Sequence, residues 1–233
     1  MNPPELDPCR ITRVVAIDGP AGAGKSSAAR MAARALGYAF LDTGAMYRAA
    51  TWRAVHRGVD WDDAAAIARS TEAMKLELSD RPEGLAVRVD GTDVTEAIRT
   101  PEITRLISRL DKIPDVRNCL VELQRAYGAK RPTVAEGRDM GTVVFPAALC
   151  KLYLDASIDE RVQRRASEMT AKGIAFDELQ LATEIRERDE RDMTRTIAPL
   201  RRAPDAVVLD TTSKSLAEVV ADIVRLAHER IGA

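Results

Sequence analysis

Residues Gly19, Pro20, Ala21, Gly22, Ala23, Gly24, Lys25 and Ser26 complete the pattern G-x-x-x-x-G-K-S, and their flanks restrict what the chain can become. Arg13-Val14-Val15-Ala16-Ile17 reads as a short buried strand, and Ser26 to Leu36 as an Ala-rich helix. Strand, glycine loop and helix follow one another without a gap. Such a loop lets backbone N–H groups turn inward around phosphate oxygens, and the helix N-terminus adds its partial positive charge. Lys25 can reach the β- and γ-phosphates, and the Ser26 hydroxyl can hold Mg²⁺. Ser27 is hydroxylated too, which leaves open which serine approaches the ion. Residues 19–27 are therefore expected to bind a nucleoside triphosphate.

A chain of 233 residues has room for one well-buried core and an insertion, rather than two independent folds. A hydrophobic content of 45% with 30% charged residues is that of an ordinary soluble protein. The net charge of −1 gives no global field for nucleic acid or an anionic membrane, so neither is an expected partner. No apolar run reaches bilayer-spanning length. Residues 1–12 lack the apolar stretch of a leader and, with Pro3, Pro4 and Pro8, read as a flexible tail ahead of a single domain from 13 to 233. Cys9, Cys119 and Cys150 are far apart and lack metal-ligand spacing, which fits a reducing cytoplasm. With only His56 and His228, a His-rich metal site is excluded and a His-based triad is disfavoured; each reads as a surface or helix-end residue.

Further strands are expected at Tyr38–Leu41, Thr133–Ala135, Lys151–Leu154 and Ala206–Leu209. Helical patterns follow from Ala45 to Arg57, from Asp63 to Met74, from Pro101 and from Pro114, from Asp159 to Thr196 with a break near Gly173, and from Ser215. Between residues 75 and 95 the texture changes. Leu76 and Leu78, then Leu85, Val87 and Val89, alternate with other residues, and Asp90-Gly91 signals a tight turn. The fold class is α/β: a parallel sheet flanked by helices, carrying a small antiparallel β insertion. Ligands of such sheets bind beyond the carboxyl ends of the strands.

A phosphate loop alone does not name a second substrate, but the arginines suggest one. Arg48 lies one turn into the helix after Thr43, Arg117 early in the helix after Pro114, and Arg138-Asp139 just past a strand. Arg188, Asp192 and Arg195 are spaced i, i+4, i+7, which places them on one helix face. For an isolated helix that spacing equally describes a solvated face laced with ion pairs. Together with the arginines at strand ends and helix starts it points to a second anion site, because the guanidinium fork grips phosphate bidentately and never loses its charge.

The chain resembles the bacterial cytidylate kinases, nucleoside monophosphate kinases of the P-loop class. The resemblance is carried by Ile17 to Ser27, by Phe40 to Arg48, by Glu136-Gly137-Arg138-Asp139-Met140-Gly141 through Pro146, and by Glu187 to Asp192. It extends from Val14 to the last helix. It implies transfer of the γ-phosphoryl group of Mg-ATP to CMP or dCMP by a cytoplasmic monomer in pyrimidine metabolism. It also implies an acceptor region at about 43–118 that includes the insertion, and a helical lid at about 157–190. By matching position, Arg117 and Asp139 with Thr43 would read the cytosine. Arg48, Arg138 and Arg195 would hold the acceptor phosphate, and Arg188, Asp192 and Ser108 would face the ribose. Lys25, Arg138, Arg188 and Arg195 would stabilise the transferred group. Arg161, Arg164 and Arg165 would close over the ATP phosphates.

Two other readings stay open at this point. One is a kinase of the same fold with another small-molecule acceptor. The other is a nucleotide-dependent switch, which would need no acceptor arginines.

Overall fold

The structure, a computed structural model, describes residues 11–81, 84–171 and 173–232. The expected tail of residues 1–12, with Cys9, thus lies almost wholly outside the described residues.

The main sheet has five parallel strands: β1 (Val14–Asp18), β2 (Ala39–Asp42), β6 (Thr133–Glu136), β7 (Cys150–Asp155) and β8 (Val207–Asp210). Their order is β2-β6-β1-β7-β8, with Ile17 level with Glu136 on one side and Leu152 on the other. Every residue of β1, β2 and β6 is buried. These strands read as continuous apolar runs because helices cover both faces and no residue needs to face water. α1 (Lys25–Leu36) packs Ala28, Ala29, Ala32 and Ala33 inward, small side chains that let the helix lie close to the sheet, and α8 (Leu216–Ile231) lies beside it. α1 stops where Gly37 adopts a left-handed conformation at φ 66°, its N–H returning to Ala33 and Arg34 carbonyls.

The expected insertion is a separate antiparallel sheet of β3 (Leu76–Arg81), β4 (Gly84–Val89) and β5 (Thr92–Asp93). Leu85, Val87 and Val89 bury one face, and Asp90 at the turn, at φ 50°, fixes the sheet to α2 (Thr43–His56). It does so by accepting from Arg53 at 2.8 Å and Arg57 at 3.0 Å. α3 (Ala64–Glu72), α4 (Pro101–Leu110) and α5 (Pro114–Lys130) complete this side, both of the latter opening on a proline, where a missing N–H costs nothing. His56, expected at a helix end, closes α2 and stacks on Trp52 at 4.7 Å.

On the opposite side α6 (Ile158–Ala171) and α7 (Glu178–Thr194) pair through a small cluster of their own, Val162, Leu181 and Ile185. The helical run breaks near Gly173 as expected, and Asp177 caps the restart by accepting from the Gln180 N–H. α7 ends at Thr194 and Arg195 is its C-cap; its N–H still donates to the Arg191 carbonyl one turn back and its φ of −58° is helical, so its side chain leaves the helix close to the face that carries Arg188 and Asp192. Pro199 disfavours helix in the residue before it, and Ala198 turns there at φ 48°.

Each of the five parallel strands ends in an acid: Asp18, Asp42, Glu136, Asp155 and Asp210. The carboxyl edge is thus lined with negative charge, and the basic residues of the site are arranged against it.

Candidate active site

The loop between β1 and α1 needs glycine for steric reasons that the structure makes specific. A Cβ on Gly19, at φ 144°, would sit 2.0 Å from the Leu154 carbonyl oxygen of β7. Gly19→Ala is therefore expected to force β1 and β7 apart and to cost about 2–3 kcal/mol, which is roughly 4–12 °C in Tm. A thermal melt checks this; an unchanged Tm would show that the loop gives way freely. Gly22 and Gly24 also have positive φ, and Gly24 begins α1 with no side-chain cap, leaving the first N–H groups of the helix open to a ligand.

Lys25 is buried, and its Nζ donates to the Pro20 carbonyl at 2.6 Å. Burial first, then the Arg138 charge, pushes it down to about 7, with Glu136 opposing. The Ser26 hydroxyl donates to Glu136 Oε1 at 2.5 Å, and the Thr43 hydroxyl to the Glu136 carbonyl at 2.7 Å. Burial, with Asp42 second, raises the Glu136 carboxyl above its ordinary value. Asp18 accepts from the Met140 and Gly141 N–H groups at 2.7 and 2.8 Å, and burial still pushes it up to about 7. Strand-end acids and helix-start lysine thus form one buried charge cluster under the loop.

Four arginines stand on the open side of that cluster. Arg138 Nε donates to Asp192 at 2.7 Å, a pair between a strand end and α7. Burial opposes ionisation of Asp192, but Arg138 and Arg188 hold its carboxyl below the ordinary range. Arg48 donates to Asp42 at 3.0 Å, and its buried Nε has no partner. Arg195 donates to the Ala198 carbonyl at 2.6 Å and approaches Asp111 at 3.7 Å, with a second buried nitrogen unpartnered. Arg188 makes no hydrogen bond or ion pair among the described residues. Its side chain is exposed at the rim of the site; partial loss of water to the protein atoms around it, then the Arg138 charge, pushes it down to about 10. Cations that reach solvent and keep spare donors are the complement of a polyanion.

A second buried pair lies beyond them. Arg117, from the first turn of α5, donates to Asp139 at 2.5 Å, both side chains under 8% exposed. The Tyr47 ring of α2 stands 5.7 Å from the Arg117 guanidinium carbon. Asp139 leads into a single π-helical turn, Met140–Val144, which aims Met140 and Gly141 N–H groups back at Asp18. Glycine at 137 leaves room for its neighbours: a Cβ there would meet Thr43 Oγ1 and Met140 Cε at 2.7 Å and would force both side chains to move.

The structure brings Lys25, Ser26, Thr43, Arg48, Arg117, Arg138, Asp139, Arg188, Asp192 and Arg195 to the carboxyl edge of the sheet or the helices beside it. Ser108 is different: its hydroxyl donates to the Arg105 carbonyl of its own helix at 3.0 Å. Of the arginines expected over the donor phosphates, Arg161 is buried against Asp189, Arg164 is bonded to Glu160 and Thr211, and Arg165 to Glu168. Asp18, Glu136, Asp42, Tyr47 and Asp189 were not assigned roles from the sequence. A signal for three of them existed, since each is the last residue of a parallel strand.

Comparison with known proteins identifies the family. The family model described as "Cytidylate kinase" matches residues 15–229. A protein of Solibacter usitatus named "Cytidylate kinase" is 47% identical over 94% of this chain and 93% of its own. A "Bifunctional pantoate ligase/cytidylate kinase" of Synechococcus sp. (strain JA-3-3Ab) is 48% identical over 94% of this chain, which spans only 42% of that longer protein. Among solved structures, a gluconokinase from Sinorhizobium meliloti 1021 superposes on 93% of this chain and 91% of its own at a TM-score of 0.47 and 17% identity, too distant to bear on the site. With a family model spanning nearly all of the chain and a curated relative matched almost end to end, this chain belongs to the cytidylate kinase family.

Proposed function

We propose that the chain transfers the γ-phosphoryl group of ATP to the phosphate of CMP or dCMP, giving ADP and CDP or dCDP. The observation that carries this reading is the buried Arg117–Asp139 pair, set beyond a cluster of arginines that face the Lys25 loop. A phosphate loop needs neither feature to bind a nucleotide. An acceptor with a base at one end and a phosphate at the other needs both. The exocyclic amine of cytosine donates where uracil presents an oxygen, and the Asp139 carboxylate accepts only from the former.

The roles are those the resemblance implies, and the geometry supports them. Lys25 and the loop N–H groups would hold the donor phosphates. Arg48, Arg138 and Arg195 would hold the acceptor phosphate. Arg188, with no ion partner of its own, would meet the charge that passes between them. A nucleotide phosphate is already dianionic near neutral pH, with a second pKa of about 6, so the attack needs no general base and the scarcity of histidine is no obstacle. Thr43 would assist the base contact, and Asp192 would face the ribose while orienting Arg138. Ser108 would join it only by giving up its bond to Arg105.

The Ser26 hydroxyl and the Glu136 carboxylate behind it are hard oxygen donors that suit Mg²⁺. Among the described residues no group of three His, Cys, Asp or Glu could hold a metal. Phosphate oxygens of ATP would therefore complete the coordination. When bound, the ion neutralises charge on the donor phosphates. Residues 43–118 would form the acceptor region and 157–190 the lid of a single domain from 13 to 233. The same reading makes the protein a cytoplasmic monomer whose partners are ATP and CMP or dCMP. No helix among the described residues is long and apolar enough to cross a membrane.

The test is ADP release from Mg-ATP with each nucleoside monophosphate in turn. Strong signals with CMP and dCMP and weak ones with the others are expected. Another preferred acceptor would keep the donor site and overturn the base assignment. Nucleotide binding with no acceptor-dependent turnover would overturn the kinase reading.

A further inference from the structure

Arg161 is placed unlike an arginine waiting for phosphate. Its stem lies on the loop, where a Cβ on Gly22 would come within 3.1 Å of Arg161 Cβ. Nε donates to the Ala156 carbonyl at 3.1 Å. One terminal nitrogen donates both to the Ala21 carbonyl at 3.1 Å and to Asp189 at 2.5 Å. Both side chains of the pair are at most 10% exposed. The charge of Arg161 is therefore already answered by Asp189, and its donors go to backbone carbonyls.

One of those carbonyls belongs to the loop itself. In a trans peptide the C=O and the following N–H point to opposite sides. A guanidinium that holds the Ala21 carbonyl on the α6 side turns the Gly22 N–H the other way. Thr211 stands against the loop two peptides further on, its hydroxyl placed between the Ala23 carbonyl at 3.3 Å and the Asp155 carbonyl at 3.1 Å. Gly22, at φ 80°, has the conformational freedom to turn either way unless something fixes it.

We infer that Arg161, oriented by Asp189, is a positioning residue for the loop: it anchors the Ala21 carbonyl so that the Gly22 N–H faces the donor phosphates. The inference rests on the reading of residues 19–26 as the donor site. It also ties that loop to α7, because Asp189 is the neighbour of Arg188 and one turn from Asp192. The sequence-based expectation was different, namely that Arg161 meets the ATP phosphates with its own charge.

The two roles predict opposite signs for one variant. Asp189→Asn keeps the shape and an acceptor but releases the Arg161 charge. If that charge acted on ATP directly, ATP would bind more tightly. If Arg161 acts by position, a weaker anchor loosens the loop and ATP binds about three- to tenfold more weakly. Arg161→Met removes the anchor and is expected to weaken ATP by about tenfold or more. Arg161→Lys, a point charge that cannot span the separated acceptors, should recover only part of that loss.

The measurement is calorimetric titration of the full chain with ATP in the absence of any acceptor, paired with thermal melts. In turnover at saturating ATP, KM for the acceptor should stay within about twofold while KM for ATP rises. Should Arg161→Met fail to fold, Asp189→Asn decides alone. Tighter ATP binding by Asp189→Asn, wild-type affinity in a folded variant, or equal changes in both KM values would overturn the inference. A wild-type chain that does not bind ATP would instead sink the donor-loop reading, and the inference with it.

Discussion

Replacing Lys25 by methionine is expected to lower kcat at least about a hundredfold while leaving the ligand-free chain folded and no less stable at pH 7. Removing a preorganised donor to transition-state charge costs roughly 3–4 kcal/mol, which is a factor of a hundred or more. The second half of the expectation comes from where the ammonium sits. It is buried under the loop, near Arg138 and Arg188, and its one hydrogen bond goes to the Pro20 carbonyl. The acids that could balance it, Glu136 and Asp18, are themselves raised by burial.

The sign of the stability effect can be worked out. Lys25 has a folded value of about 7 against an ordinary 10.5. Between those limits the unfolded chain binds the extra proton, so this group's penalty is full below pH 7 and fades as pH rises toward 10.5. Methionine keeps most of the stem's apolar contact and has no charge to bury. Its Tm should equal or exceed that of the parent at pH 7, and the difference should shrink by pH 9. The rise in Tm that Mg-ATP gives the parent should disappear. Steady-state rates and melts at the two pH values check this. A near-normal kcat would show that the loop is not the donor site, and a large fall in Tm would make Lys25 a structural residue.

Much of this site was legible because it depends on local rules. A strand, a glycine loop and a helix are contiguous in sequence, and the conformations that Gly19, Gly22 and Gly24 must adopt are properties of single residues. The antiparallel insertion declared itself by alternation, and the parallel sheet by its lack of it. What could not be read are partnerships across the fold. Arg138 with Asp192 and Arg161 with Asp189 join residues 54 and 28 positions apart. Spacing draws attention to Asp192 but does not pair it with Arg138, and nothing in it distinguishes Asp189 from Glu187 or Glu190 beside it. Arg195 is a different case: periodicity carries it to the end of α7, while its bond to the Ala198 carbonyl and its contact with Asp111 belong to the turn that follows and lie on no helical wheel.

Asp139→Asn is expected to cut kcat/KM for CMP by about a hundredfold, by the loss of a charge-assisted acceptor in a buried site. UMP efficiency should fall far less or rise. The carboxylate offers only acceptors, so in the parent it meets the uracil oxygen with repulsion and the cytosine amine with a hydrogen bond. An amide can present N–H to uracil while its oxygen still accepts from Arg117, which removes the unfavourable contact along with the favourable one. Asp139 has a structural duty as well, because Arg117 is buried on it and on the face of Tyr47. Asp139→Ala would strand that cation at a cost of about 3–5 kcal/mol, roughly 6–20 °C in Tm, and its loss of activity would confound reading with folding. Asparagine keeps the Arg117 hydrogen bond, so its Tm should fall by much less, and the two effects separate. The comparison is kcat/KM for CMP and UMP, measured side by side in both proteins together with their melts. Equal efficiencies in the parent, or an undiminished CMP preference in a folded Asp139→Asn, would show that base choice is made elsewhere than at this pair.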